Sequence, residues 1–214
     1  MSISFNGYTI EPNADLSDTN LSGADLSNAN LSNINFSNAN LSNVNLNSAD
    51  LSGAIFDGTR LENIDLTDAN LLGAKLVNIV GSPPNLPLGY IYLNGAIYGP
   101  KLDLTTSKFD ENPTNTTLNL SGANLSYNEN IQTKNFEGAL FIGSNLKGVY
   151  FGQETVLDDA DFSYAFAPTS NFTRTDSDSV IFSNAYIKGA QFYEAEFSNS
   201  DFSNADLSNS NLVS

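Results

Sequence analysis

The chain has 214 residues, 40% of them hydrophobic, with 24 acids against 8 bases and neither cysteine nor histidine. Disulfides, thiolate nucleophiles, most structural zinc sites and every histidine-based triad, general base or metal ligand are therefore excluded, and no cofactor is implied. The net charge of −16 argues against nucleic-acid binding, which needs Lys and Arg to neutralise phosphates, and it suits a basic partner.

The N-terminal stretch MSISFNGYTI has no basic segment followed by an apolar one, so no secretory leader is read and the cytoplasm is the default location. No apolar run approaches the eighteen or so residues that span a bilayer. The same stretch reads as a hairpin. Ile3-Ser4-Phe5 and Tyr8-Thr9-Ile10 flank Asn6-Gly7, and Asn-Gly is the strongest short-range signal for a type I′ turn.

From Leu16 an apolar residue recurs every five positions: Leu16, Leu21, Leu26, Leu31, Phe36, Leu41, Leu46, Leu51, Phe56, Leu61, Leu66, Leu71 and Leu76. In an α-helix such residues would step ~140° around the axis and cover every face. In a straight strand an odd period throws successive ones to opposite faces. All can be buried only if five residues make one short side and a corner. The residue two before each, most often Ala, then also points inward by the alternation of an extended chain. The remaining three positions face outward and carry Ser, Asn, Asp or Gly, the residues of turns. A disordered Asn/Ser-rich tract would not space its Leu and Phe so evenly.

The register breaks after Leu76. Tyr90-Ile91-Tyr92-Leu93 and Ala96-Ile97-Tyr98 flank a second Asn-Gly, at 94–95. The spacings Asn6 to Pro12 to Leu16 and Asn94 to Pro100 to Leu104 are the same. Each hairpin is therefore expected to cap the first coil of an array, because a solenoid end exposes unpaired backbone and core. The domains expected are 1–80, a hairpin cap plus a first array, and 81–214, a hairpin cap at about 83–103 plus a second array. The rival organisation is one continuous helix with a side hairpin.

The second array is less regular. Its centres are Leu104, Phe109, Leu120, Leu125, Ile131, Phe136, Phe141, Leu146, Phe151, Leu157 and Phe162, then Phe172, Phe182, Ile187, Phe192, Phe197, Phe202, Leu207 and Leu212, with Ala167 and Ser177 as weak ones. Single extra residues between Phe109 and Leu120, before Ile131 and before Leu157 fit best at corners, where they bulge outward. If four units make a coil, residues twenty or twenty-one apart stack. Phe141, Phe162, Phe182 and Phe202 then form one column, Phe151, Phe172, Phe192 and Leu212 another, and Phe36 lies on Phe56.

Asn13-Ala-Asp-Leu-Ser17, Gly23-Ala-Asp-Leu-Ser27 and Asn204-Ala-Asp-Leu-Ser208 resemble the A(D/N)Lxx motif of the pentapeptide-repeat family. One such match means little, whereas thirteen consecutive centres in register are specific, and the resemblance covers most of the chain. It implies an all-β fold: a right-handed quadrilateral parallel β-helix with four pentapeptides per coil, here with β-hairpin caps.

Carboxylates are the only candidates for catalysis, in Asp158-Asp159-Ala160-Asp161 and Asp176-Ser177-Asp178. Paired carboxylates can cleave a glycosidic bond given a cleft and a raised pKa, but a wall of small outward residues offers no cleft. The reading is therefore no enzyme. No calcium loop or phosphate-binding loop is present. Asn20, Asn30 and Asn40 match the glycosylation triplet, as repeat composition alone would produce. The basic residues are scattered, and Tyr127, Tyr164, Tyr186 and Tyr193 point outward.

The function read is a non-catalytic interaction scaffold for an unidentified protein partner, with neither a membrane nor nucleic acid bound. Some members of the family mimic DNA and bind gyrase, so the resemblance implies an alternative. About nine coils at ~4.8 Å make ~43 Å, over which B-DNA carries ~25 negative charges. This chain carries fewer. The positions before the first-array centres are Asp at 15, 25, 50 and 65 but Asn at 20, 30, 35, 40, 45 and 70. Asp176, Glu194, Glu196, Asp201 and Asp206, with only Lys188 nearby, form the expected acidic contact surface. The repeat runs to the last residues without a cap, which points to a homodimer through the C-terminal coil. An ice-binding surface would need regular Thr arrays, which are absent.

Overall fold

The computed structural model describes residues 2–81, 85–93, 95–107, 109, 118–129, 131, 135–153 and 155–212. Among them there is no α-helix, and hence no helix long and apolar enough to cross a membrane. The backbone forms two compact units, Met1–Tyr98 and Gly99–Ser214.

In the first unit, parallel bridges join residues twenty apart, from Asp15↔Asn35 through Asp65↔Asn85, and successive bridges start five residues on. Four five-residue units thus make one rung, and residues one rung apart form a column. From Asp15 to Lys75 the bridged residue immediately precedes an inward centre. Its N–H donates to the rung before and the centre's N–H to the rung after, as when Asn40 N–H donates to Thr19 and Leu41 N–H to Arg60. Backbone polar groups are satisfied between rungs rather than within an element.

Each corner is a turn closed by an N–H three residues on, such as Ala24 N–H to Leu21 C=O at 3.0 Å. The second residue after each centre is left-handed, with φ of 58° at Asn28 and Asn38 and 70° at Gly58. A type II turn demands positive φ at its third position, and Asn, Asp and Gly tolerate it best. That requirement explains why these residues recur at this place in the five. Gly58 has a second reason: a Cβ there would collide with the Asn38 side chain one rung earlier.

The core is one inward centre per unit plus the residue two before it. Leu16, Leu21, Leu26, Leu31, Phe36, Leu41, Leu46, Leu51 and Phe56 are all buried, with Phe36 and Phe56 rings 5.5 Å apart. At several places where Ser or Thr takes the smaller inward slot, its hydroxyl bonds a centre's carbonyl. Thr59 reaches Phe36 O at 2.7 Å and Ser144 reaches Phe141 O at 2.7 Å.

Strands β1 (Ile3–Phe5) and β2 (Tyr8–Ile10) pair antiparallel across Asn6 and Gly7, whose φ values of 51° and 82° suit a type I′ turn. Strands β3 (Ile91–Leu93) and β4 (Ala96–Tyr98) form the second hairpin; its Asn94 lies outside the described residues. This hairpin bonds backward. Ile79 N–H donates to Gly95 O and Ile97 N–H to Leu76 O, and Ile97 and Tyr98 are buried. It closes the last rung of the first array and falls in the first unit, which runs to Tyr98 rather than to residue 80.

In the second unit the bridges step by twenty-one from Asp103↔Asn124 to Tyr150↔Asn171, then by twenty from Asp161↔Ile181. The two strands of this region, β5 (Asp176–Asp178) and β6 (Glu196–Ser198), are parallel neighbours on successive rungs. Phe141, Phe162 and Phe182 are buried and stack at 4.6 and 4.9 Å, and Phe202 follows at 4.8 Å. Phe202 is only half-buried, because it lies in the last rung of the described residues. Phe151, Phe172 and Phe192 stack at 4.8 and 5.1 Å. Rings of columns two units apart meet edge to face across the core, as Phe151 and Phe162 do at 86°. Ala167 and Ser177 occupy inward slots despite their size, and Ser177 Oγ accepts the Leu157 N–H at 3.0 Å.

Candidate functional site

The outward Asp and Asn side chains have a local task. The residue before each centre uses Oδ1 to accept the N–H two residues on: Asp15 from Ser17 at 3.1 Å, Asp25 from Ser27 at 3.1 Å, Asp65 from Thr67 at 2.9 Å, Asp201 from Ser203 at 2.8 Å and Asp206 from Ser208 at 2.9 Å. Asn20, Asn30 and Asn40, the glycosylation-type triplets, do the same. These bonds hold the five carboxyls below the usual range. The hydroxyl two residues on is the larger cause at Asp15, Asp25, Asp65 and Asp206, and the backbone N–H at Asp201.

Amides also separate the acids along the columns. Asn35 Nδ2 donates to Asp15 at 2.9 Å and Asn70 Nδ2 to Asp50 at 2.9 Å. Asp25 and Asp65 stand two rungs apart with Asn45 between them, whereas the Asp15 and Asp50 columns hold no second acid at this position.

The acid runs of the second unit are similarly occupied. Asp158 Oδ1 accepts the Asp178 N–H at 2.8 Å, Asp178 Oδ1 accepts Asn199 Nδ2 at 2.8 Å, and Asp161 Oδ1 accepts the Ser163 N–H at 2.8 Å. Among the described residues no three acidic side chains are grouped to hold a metal ion.

Asp176, Glu194, Glu196, Asp201 and Asp206 are all exposed, but they are spread around the rungs. Asp176 and Glu196 are bridge partners on one column. Asp201 stands on the Phe141 column, Asp206 on that of Leu146, and Glu194 on that of Phe151. Glu194 is also neutralised, since Arg174 Nε reaches its Oε2 at 2.7 Å. The Tyr193 hydroxyl and that guanidinium hold the Glu194 carboxyl down, while Glu194 pushes the Tyr193 phenol up. Arg174 was missed as its partner because they are twenty residues apart, which only a rung count brings together.

A more continuous acidic line runs down the Leu157 column. Glu137, Asp158 and Asp178 each follow its inward residue on successive rungs, with Asp159, Asp176 and Glu196 beside them. The opposite character gathers two units away, on the Leu146 column. Phe166 and Tyr186 precede inward residues there and stack at 5.3 Å. Lys147, Pro168 and Lys188 follow them, with Lys147 Nζ 5.4 Å from the Tyr127 ring. Tyr127 and Tyr164 occupy the flanking corners, and Tyr193 lies apart on the Phe151 column.

A cavity of about 330 Å³ in the last rung is lined by Phe192, Ala195, Phe197, Phe202, Leu207 and Leu212. Its lining side chains are all apolar.

Residues 14–53, 45–80 and 180–213 match the family profile described as pentapeptide repeats, in eight copies. No curated protein matches the chain. Among solved structures, HetL, a pentapeptide repeat protein involved in heterocyst differentiation regulation from the cyanobacterium Nostoc sp. strain PCC 7120, is 22% identical, with 92% of this chain and 84% of that one covered and a TM-score of 0.27. QnrB1, a plasmid-mediated fluoroquinolone resistance protein, is 16% identical over 92% and 90% with a TM-score of 0.31. A pentapeptide repeat protein from the Arabidopsis thaliana thylakoid lumen is 22% identical over 71% and 70% with a TM-score of 0.21.

Proposed function

Because the chain belongs to the pentapeptide-repeat family, we propose that it is a non-catalytic solenoid whose wall is a rigid scaffold for a protein partner, with rungs that follow a right-handed, four-sided course. Stacked repeats offer extended, preformed surfaces. The observation that carries the reading is the engagement of the outward carboxylates. Asp15, Asp25, Asp65, Asp201 and Asp206 are hydrogen-bonded into their own corners with lowered pKa. A general acid at neutral pH needs the opposite, a carboxyl raised by burial or a like charge. Our reading is of a cytoplasmic protein that also pairs end to end through the apolar rung of Phe202, Leu207 and Leu212.

The acidic line Glu137, Asp158 and Asp178 supports a second reading, a DNA mimic that binds gyrase. The first unit weighs against it, because amides outnumber acids at the positions before its inward centres, as where Asn35 lies on Asp15 and Asn70 on Asp50, and it so falls short of the charge density of a duplex. Affinity capture with the full chain in its native host, paired with a gyrase supercoiling assay, separates the two. The scaffold reading predicts one defined partner and unchanged supercoiling at micromolar protein. Recovery of gyrase with inhibition or protection would establish the mimic, and recovery of no partner would overturn the scaffold.

A further inference from the structure

The exposed apolar side chains are unevenly placed. In the first unit Ile55, Leu72 and Val80 lie on three different columns. In the second unit Tyr164, Phe166, Tyr186 and Tyr127, exposed by 66, 46, 38 and 58%, gather along the Leu146 column and its two corners. Tyr127 and Tyr164 are left-handed, with φ of 56° and 59°, where most other corners use Asn, Asp or Gly, with Thr169, Arg174 and Glu194 among the exceptions. Aromatic rings held on a rigid wall are the composition of interface centres. Lys147 and Lys188 stand beside them, and the column's acids among the described residues, Asp103 and Asp206, lie at its two ends.

The complement to this strip lies on the same chain. Lys147 and Lys188 each follow an inward residue and are two rungs apart, with Pro168 between. Glu137 and Asp178 hold the same position on the Leu157 column and are also two rungs apart, with Asp158 between. The rung spacing, ~4.8 Å, sets both separations, so two parallel solenoids bring both pairs into register together. The two columns are two units apart within the rung, so a partner on one leaves the other open.

We propose that the aromatic and lysine strip of the Leu146 column docks against the acidic Leu157 column of a second copy of this chain. The contact is heterologous, because each copy offers two different faces, and it therefore propagates rather than closes. It goes beyond the scaffold reading, which needs a partner but no second copy. It is also separate from end-to-end pairing, which would use apolar residues of the last rung.

Sedimentation velocity on the full chain, with circular dichroism to verify folding, tests it by charge exchange. K147E/K188E makes the strip acidic, and E137K/D178K makes the acidic line basic. Each should weaken lateral self-association at least tenfold, and an equimolar mixture should restore it, since each variant's altered face then meets an opposite charge. The two variants shift the net charge by four in opposite directions, so bulk charge alone would make E137K/D178K the most associated sample. That result, or a mixture no more associated than its components, overturns the proposal while leaving the scaffold and end-to-end readings intact. F166S/Y186S changes no charge and should also weaken the contact tenfold. An unchanged mass distribution for it, or wild type with no lateral species at submillimolar concentration, likewise overturns the proposal.

Discussion

A single choice between Asn and Asp decides much of the surface. Both supply the Oδ1 that accepts the N–H two residues on, so the corner forms with either. Only Asp responds to acid. The folded carboxyls of Asp15, Asp25, Asp65, Asp201 and Asp206 lie below their ordinary value near 3.8. A carboxyl lowered by folding contributes stability that is fully present above its unfolded pKa and is lost as pH falls through the folded one. Urea midpoints should thus be insensitive to these groups from pH 7 to about pH 5 and fall below about pH 4. A variant with all five as Asn keeps the acceptors and should lose less stability over that lower range. A loss as steep as wild type in urea titrations would show that the corner bonds do not carry this dependence. The residue type at the corners was legible in the sequence, because positive φ and Asx bonding are local requirements. Which acids are paired was not: Glu194 meets Arg174 only across a rung.

At the scale of the rung, packing follows the vertical spacing. In the second unit rings one rung apart are near parallel, 9° between Phe141 and Phe162 and 15° between Phe162 and Phe182, whereas Phe36 and Phe56 are tilted by 41°, and rings of columns two units apart meet on edge. Phe162 therefore has partners above, below and beside it. Phe162→Ala should cost about 3–5 kcal/mol, as for a large buried ring, and Phe202→Ala clearly less, since Phe202 is half-exposed in the last rung. Equal losses in urea denaturation would contradict the stacked arrangement. The inward residues were legible because a five-residue period admits one geometry that buries them all. The extra residues between Phe109 and Leu120, before Ile131 and before Leu157 preserve that phase and lengthen the affected rungs to twenty-one. The direction of the second hairpin was not legible. Its sequence matches the N-terminal hairpin, which caps forward by analogy, whereas its Gly95 and Ile97 bond back to Ile79 and Leu76. Spacing along the chain says nothing about which side of a hairpin finds a partner.

For the molecule as a whole, composition indicated an acidic surface, but not where its charges lie. The basic residues look scattered when read along the sequence. Counted by rungs, Lys147 and Lys188 share a column with Phe166 and Tyr186, and Glu137, Asp158 and Asp178 share another. Every such statement depends on the rung length. Nuclear Overhauser contacts measured on the full chain in solution test it most directly. The account predicts cross-peaks between backbone protons of Asn30 and Asp50, twenty apart, of Asn124 and Asn145, twenty-one apart, and of Asp161 and Ile181, twenty apart again. Contacts three and four residues apart typical of helix, or a second unit bridged at twenty throughout, would contradict it.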